Sequence, residues 1–180
     1  MANAATQVAQ FTPYSFIGAN SFPDIPQLIP LPGGYGRGLS LRKIDTEAYD
    51  LFLMIPTDAT VGTGLTFRLF LCDDGDTLTP PATSFATIRI GLTAKKIVSG
   101  TDTSDMTTAA GTEQTSDIAL STTSKVMTVS DFAVANANLD SAGAGDNLML
   151  RIRRIGSAAT DTFRGRAVLA GLVVFNTATA

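Results

Sequence analysis

Histidine and tryptophan are absent from the 180 residues, and cysteine occurs once, as Cys72. Without histidine, neither a Ser/His/Asp nor a Cys/His catalytic unit can be assembled, and the usual imidazole-bearing zinc sites go with them. A lone cysteine forms no internal disulfide and no CxxC metal or redox site. Charge is also scarce: 16% of residues are charged, against about 25% in an average globular chain, with a formal net charge of -3 and a pI near 4.8. That balance argues against a nucleic-acid-binding domain, which would show a basic pI and clustered cations. No apolar run approaches the roughly 20 residues that cross a bilayer, so no membrane partner is expected. The first seven residues carry neither a cationic nor an apolar region, so no signal peptide is read there and synthesis in a cytoplasm is expected. Hydrophobic residues at 44% of the chain suffice for a core, and the length suits one domain.

Proline marks the beginning of the chain. Five of the eight prolines (Pro13, Pro23, Pro26, Pro30, Pro32) fall in the first 32 residues, together with Phe11, Tyr14, Phe16, Phe22, Ile25, Leu28 and Ile29; Asp24 is the only charged side chain before Arg37. Proline at this density forbids a helix or a central strand and leaves extended backbone. An apolar, nearly neutral extended segment differs from a disordered tail and needs a surface to lie on. Residues 1–38 are therefore expected to be an extended arm, ending in the glycine joint Gly33, Gly34, Gly36, Gly38. The seven apolar residues named above are its expected gripping contacts. The competing expectation is a tail folded back over its own body.

From residue 39 to 180 the apolar pattern has period two. Leu65, Phe67, Leu69 and Leu71 share one face; Ala86, Ile88, Ile90 and Leu92 repeat the scheme, as do Leu148, Leu150 and Ile152. Such alternation marks half-buried antiparallel strands. Further strands are expected over 39–44, 49–55, 118–120, 125–129 and 166–175, separated by Gly, Asp and Thr turns. About eight strands without helices imply an all-β antiparallel sandwich or barrel. Two strands, 49–55 and 167–175, are apolar on both faces. Each is either covered twice within the body or meets another subunit through its second face, at Phe52 and Met54 or at Leu172 and Val174.

Few residues invite chemistry. Cys72-Asp73-Asp74-Gly75-Asp76 lacks the spacing of an EF-hand loop and reads as a turn. Gly33–Gly38 is not followed by the helix and Lys-Ser/Thr of a phosphate loop. No spacing among the sixteen acids selects a hydrolytic pair. Catalytic, cofactor-binding and metal sites are all read as none, and the chain as no enzyme. Five of nine arginines (Arg151, Arg153, Arg154, Arg164, Arg166) lie in a hairpin-like region around 156–161. They are either a solvated face balanced by Asp161 or partners across an interface. Arg151, Arg153 and Arg154 are taken with Phe52, Met54, Leu172 and Val174 as interface candidates. Cys72 is expected to be a small buried hydrophobe.

The run Gly145-Asp146-Asn147-Leu148-Met149-Leu150-Arg151-Ile152-Arg153, then Asp161-Thr162, then Ala167-Val168-Leu169-Ala170-Gly171-Leu172-Val173-Val174-Phe175 resembles the closing hairpin of jelly-roll structural proteins of tailed bacteriophages. The resemblance extends over about residues 40–177 and implies a jelly-roll body. It also implies a virion role as a capsid decoration (cement) protein on the outer capsid surface, with the major capsid protein and its own copies in a homotrimer as partners. The apolar arm agrees with cement. The alternative is a jelly-roll module of a head or tail fibre that binds host-surface carbohydrate; against it stand the absence of tryptophan and an aromatic content of 7%.

Overall fold

The computed structural model describes residues 7–12, 17–18, 28–30, 37–43, 48–74, 86–101, 110–123 and 125–176. Among them the order is β1 (Gln7–Phe11), β2 (Ile17–Gly18), β3 (Leu28–Pro30), β4 (Arg37–Leu41), β5 (Ala48–Met54), β6 (Leu65–Asp73), β7 (Thr87–Ile97), β8 (Gln114–Ala119), β9 (Thr128–Val134), a 3-10 turn at Asn136–Leu139, β10 (Asn147–Arg154) and β11 (Ala167–Asn176). Sheet A runs β3-β4-β11-β6-β9, with β1 also on β11; sheet B runs β2-β5-β10-β7-β8. Every pairing is antiparallel. The eight strands from β4 onward are split between the sheets as a jelly roll, β4-β11-β6-β9 facing β5-β10-β7-β8.

The period-two faces supply the filling. Leu65, Phe67, Leu69 and Leu71 of β6 are fully buried, and they meet Ile88, Ile90, Leu148, Leu150 and Ile152 from sheet B in one hydrophobic cluster. In β11 the register on β6 slips between Leu169 and Gly171. This bulge inverts the alternation, so Ala167, Leu169, Leu172 and Val174 all enter the core. The doubly apolar look of this strand thus has a local cause. Leu172 (1% exposed) and Val174 (0%) belong to the core of their own chain and not to a subunit interface.

The described parts of residues 1–38 lie on the sandwich. Phe11 belongs to β1, opposite Leu172, and packs with Val8 and Ala9 against the core. Leu28 and Ile29 lie in β3, opposite Leu39 and Gly38. Tyr14, Phe16, Phe22 and Ile25 lie outside the described residues.

The arginine-rich region is not a hairpin. Strand β10 belongs to sheet B and β11 to sheet A, so residues 155–166 cross between the layers. Arg154 organises this crossing. It is 1% exposed, and its side chain donates through Nε and Nη2 to Asp161 Oδ2 and Oδ1 (2.8 and 2.6 Å), through Nη1 to the Gly165 carbonyl (2.7 Å) and the Leu41 carbonyl (3.3 Å), and through Nη2 to the Phe163 carbonyl. Asp161 Oδ2 also accepts from the Arg89 backbone N–H (3.2 Å). Arg154 therefore fastens strands within its own chain and is unavailable to another subunit.

Three outcomes follow from this packing. Arg154→Met leaves Asp161 buried without its fork and should cost about 3–5 kcal/mol in urea unfolding, whereas Arg154→Met/Asp161→Leu should recover much of that loss; a cost for the single variant under about 1 kcal/mol contradicts the assignment. Deleting residues 1–36 bares the β11 edge and the Phe11 contact, and should lower stability by about 2–4 kcal/mol; an unchanged unfolding midpoint contradicts it. Cys72 is 1% exposed, and burial first, then Asp73 and Asp74, push its thiol from 9.0 up to about 11. Between those values the unfolded chain has lost a proton that the native state keeps, so stability falls as pH rises through this window. The thiol should react with a disulfide reagent at neutral pH only after denaturation; rapid native-state labelling contradicts it.

Candidate functional site

The two outer faces of the sandwich differ in chemistry. On sheet B, cross-strand registers align charged side chains in rows. Arg151 lies opposite Asp50 and donates to both its carboxylate oxygens at 2.8 and 2.9 Å. Arg153 holds Glu113 in the same way at 2.6 and 2.7 Å. Arg89 pairs with Asp117 at 3.6 Å and donates to Thr160 and Thr115. Gly91 leaves the room that Glu113 needs, since a Cβ there would stand 2.4 Å from Glu113 Oε1. The arginines expected at an interface are thus paired within the chain. Phe52 (55% exposed) and Met54 (70%) are the interface candidates that lie open, at the β5 end of this face.

Sheet A carries a groove on its outer face. The bulge at Ala170 and the bare backbone of Gly171 open a groove of about 270 Å³, walled by Phe70, Met127 and Val173 and bordered by Gln10, Phe11 and Thr12. Phe70 lies opposite Gly171 on one side and Val129 on the other. A Cβ at Gly171 would meet Phe70 Cδ2 at 3.9 Å, so the ring leans over the glycine. Val129, Met127 and Val126, on or next to β9, are exposed, which adds apolar surface on this side of the sandwich.

Two residues along β6, about 7 Å away by strand rise, Arg68 lies opposite Asp131. Its Nε and Nη2 donate to Asp131 Oδ1 and Oδ2 at 2.7 and 2.8 Å. The guanidinium carbon stands 4.9 Å from the Phe175 ring centroid, which holds the fork by a cation–π contact. The hydrogen bond from Arg68 holds the Asp131 carboxyl below its usual range, and the same bond raises the Arg68 guanidinium. Both groups stay charged, and both stay open to solvent, with side chains 41% and 47% exposed. A bidentate contact uses two of the five guanidinium N–H donors. Aromatic wall, amide and hydroxyl at the rim, and a fixed donor–acceptor pair are the components that hold an uncharged polar ring.

None of Gln10, Thr12, Arg68, Phe70 or Asp131 stands out in the sequence as a site residue. Arg68 and Phe70 occupy the solvent side of an alternating strand, where most side chains have no ligand. One signal is present: an aromatic at position 70 interrupts the polar row Thr66, Arg68. Within the Cys72–Asp76 run, Asp73 and Asp74 are engaged structurally, and Asp76 lies outside the described residues. Asp73 accepts from the Lys125 N–H at 2.5 Å, and Asp74 pairs with Arg166 at 3.6 Å.

No protein-family model matches the chain, and no curated protein matches it. Solved structures do match in fold. The xylan-binding module CBM15 superposes with a TM-score of 0.53 at 9% identity, over 99% of each chain. The CBM22-1–GH10 modules of endo-1,4-β-D-xylanase 10B from Clostridium thermocellum, complexed with xylohexaose, match with a TM-score of 0.52 at 11% identity, over 97% of this chain and 29% of that one. Exo-β-1,3-galactanase from Phanerochaete chrysosporium, with galactose, matches with a TM-score of 0.50 at 11% identity, over 96% of this chain and 29% of that one. The chain therefore spans less than a third of the two longer proteins. At these identities the likeness is one of fold, the two-sheet jelly roll.

Proposed function

We propose that this chain is a carbohydrate-binding jelly-roll module without catalytic activity, carried on a phage head or tail fibre and directed at host-surface glycans. The observation that carries the reading is the sheet A groove walled by Phe70, with the exposed, bidentate Arg68–Asp131 pair outside its lining but next along the same face, where Arg68 lies opposite the groove residue Val173. A pyranose has apolar faces and a rim of hydroxyls; Phe70 takes the face, while Gln10, Thr12 and the ion pair address the rim. Burial of the apolar ring face against Phe70 contributes about 25 cal/mol per Å² of apolar surface removed from water. The xylan-binding module that matches over its full length supports a carbohydrate ligand, and the phage resemblance of residues 145–175 supports the fibre.

A capsid cement protein has less support. Its expected gripping arm has Phe11, Leu28 and Ile29 in strands paired to the body. The exposure of Phe52 and Met54 on the opposite sheet supports a contact there with a neighbouring subunit of a fibre.

The test is a glycan array followed by titration calorimetry on the best oligosaccharide. Phe70→Ala should weaken binding about tenfold, or ~1.4 kcal/mol. Gly171→Leu should abolish it by filling the groove, since a Cβ there makes only ordinary contacts. Phe52→Ala should leave it unchanged. Binding that survives both groove variants, or release of reducing ends by the wild type, overturns the reading.

A further inference from the structure

We infer that the Arg68–Asp131 pair makes this site selective for uncharged saccharides over those bearing a carboxylate, an inference that rests on the carbohydrate reading above. Arg68 uses its Nε–H and one Nη2–H on Asp131, so three N–H donors of the fork remain, two on Nη1 and one on Nη2. Each Asp131 oxygen accepts one of these bonds and keeps a further lone pair. Donors and acceptors therefore stand side by side on two rigid, adjacent strands. A hydroxyl both donates and accepts, so neighbouring hydroxyls of a sugar can bond to Asp131 and to Arg68 together while the pair stays intact.

A ligand carboxylate meets different conditions. It accepts only, and its favoured partner is a guanidinium edge. The Nε edge of Arg68 is occupied, so the ligand must either displace Asp131, leaving that carboxylate without its cation, or bind the remaining edge beside a like charge. Nothing in the groove wall offsets this: Gln10, Phe11, Thr12, Phe70, Met127 and Val173 carry no charge. The net charge of -3 adds a weak repulsion in the same sense. Phe175 beneath the guanidinium and the bidentate geometry hold the pair in place, so the discrimination needs no rearrangement. The pair is exposed, and exposed pairs are individually weak, which sets the expected selectivity at roughly tenfold rather than thousandfold.

The experiment titrates the full chain with neutral xylohexaose and galactohexaose and with acidic hexagalacturonate at fixed ionic strength, and screens a neutral and sialylated glycan array alongside. Wild type should bind its best neutral glycan about tenfold more tightly than any acidic one. Asp131→Asn frees Arg68 from its counter-charge and should bring the ratio to within about threefold, chiefly by tightening the acidic ligand. Arg68→Lys, which loses the fork but keeps the charge, should weaken neutral binding several-fold. Phe70→Ala should weaken both classes alike. Acidic glycans bound as tightly as neutral ones by wild type, or an unchanged ratio in Asp131→Asn, overturns the inference while leaving the carbohydrate site standing. No binding of any saccharide at millimolar concentration, on the array or in solution, overturns both.

Discussion

The buried contact between Arg154 and Asp161 is the constraint on which the arrangement of the two sheets depends. A charge this deep is costly unless every donor and acceptor is matched, and here the guanidinium meets one carboxylate and three backbone carbonyls. Those partners come from different places: Leu41 at the end of β4, and Asp161, Phe163 and Gly165 from the crossing segment, with Arg89 of β7 reaching the same carboxylate. The set can be satisfied only when the chain leaves sheet B after β10 and enters sheet A beside β4. It thereby specifies where β11 begins, and a hydrophobic core alone would specify that poorly.

From that start the remainder of sheet A follows in register. Leu169 sits opposite Leu71 and Leu39, and the bulge at Ala170 then returns Leu172 and Val174 to the core. The same bulge leaves Gly171 as a floor under Phe70, and β1 adds Gln10 and Phe11 along the edge. The groove is thus a consequence of how β11 is placed and interrupted. Sheet B, uninterrupted in the registers of β10 with β5 and β7, presents instead a face whose charges are matched within the chain. One sandwich therefore has a surface whose polar groups are paired with one another and a surface with a cavity beside an exposed pair.

Much of this was legible in the sequence, and the limits have physical causes. Side-chain alternation is local, so the core rows of β6, β7 and β10 and the all-β class could be read directly. Strand pairing is not local. The short, glycine-containing link between β10 and β11 has the composition of a hairpin turn, and only the buried Arg154 contacts show that it crosses between sheets. A bulge leaves no mark in a period-two pattern except apolar residues on both faces, which is also how an interface strand looks; Leu172 and Val174 were ambiguous for that reason, whereas Phe52 and Met54 do lie on an exposed face. Proline-rich, apolar composition in residues 1–38 announced extended backbone but not what it pairs with. Arg68 and Phe70 were invisible as a site because their meaning comes from Asp131, Gly171 and Gln10, which lie 58 or more positions away in the chain.

The proposed glycan site lies on the outer face of sheet A and not on that of sheet B. Backbone amide chemical-shift mapping during titration with an oligosaccharide selected from an array measures this directly. Shifts concentrated at Gln10, Thr12, Arg68, Phe70, Met127 and Gly171 are predicted. Shifts concentrated instead around Phe52, Arg151 and Arg153, with the groove residues unmoved, would contradict the account.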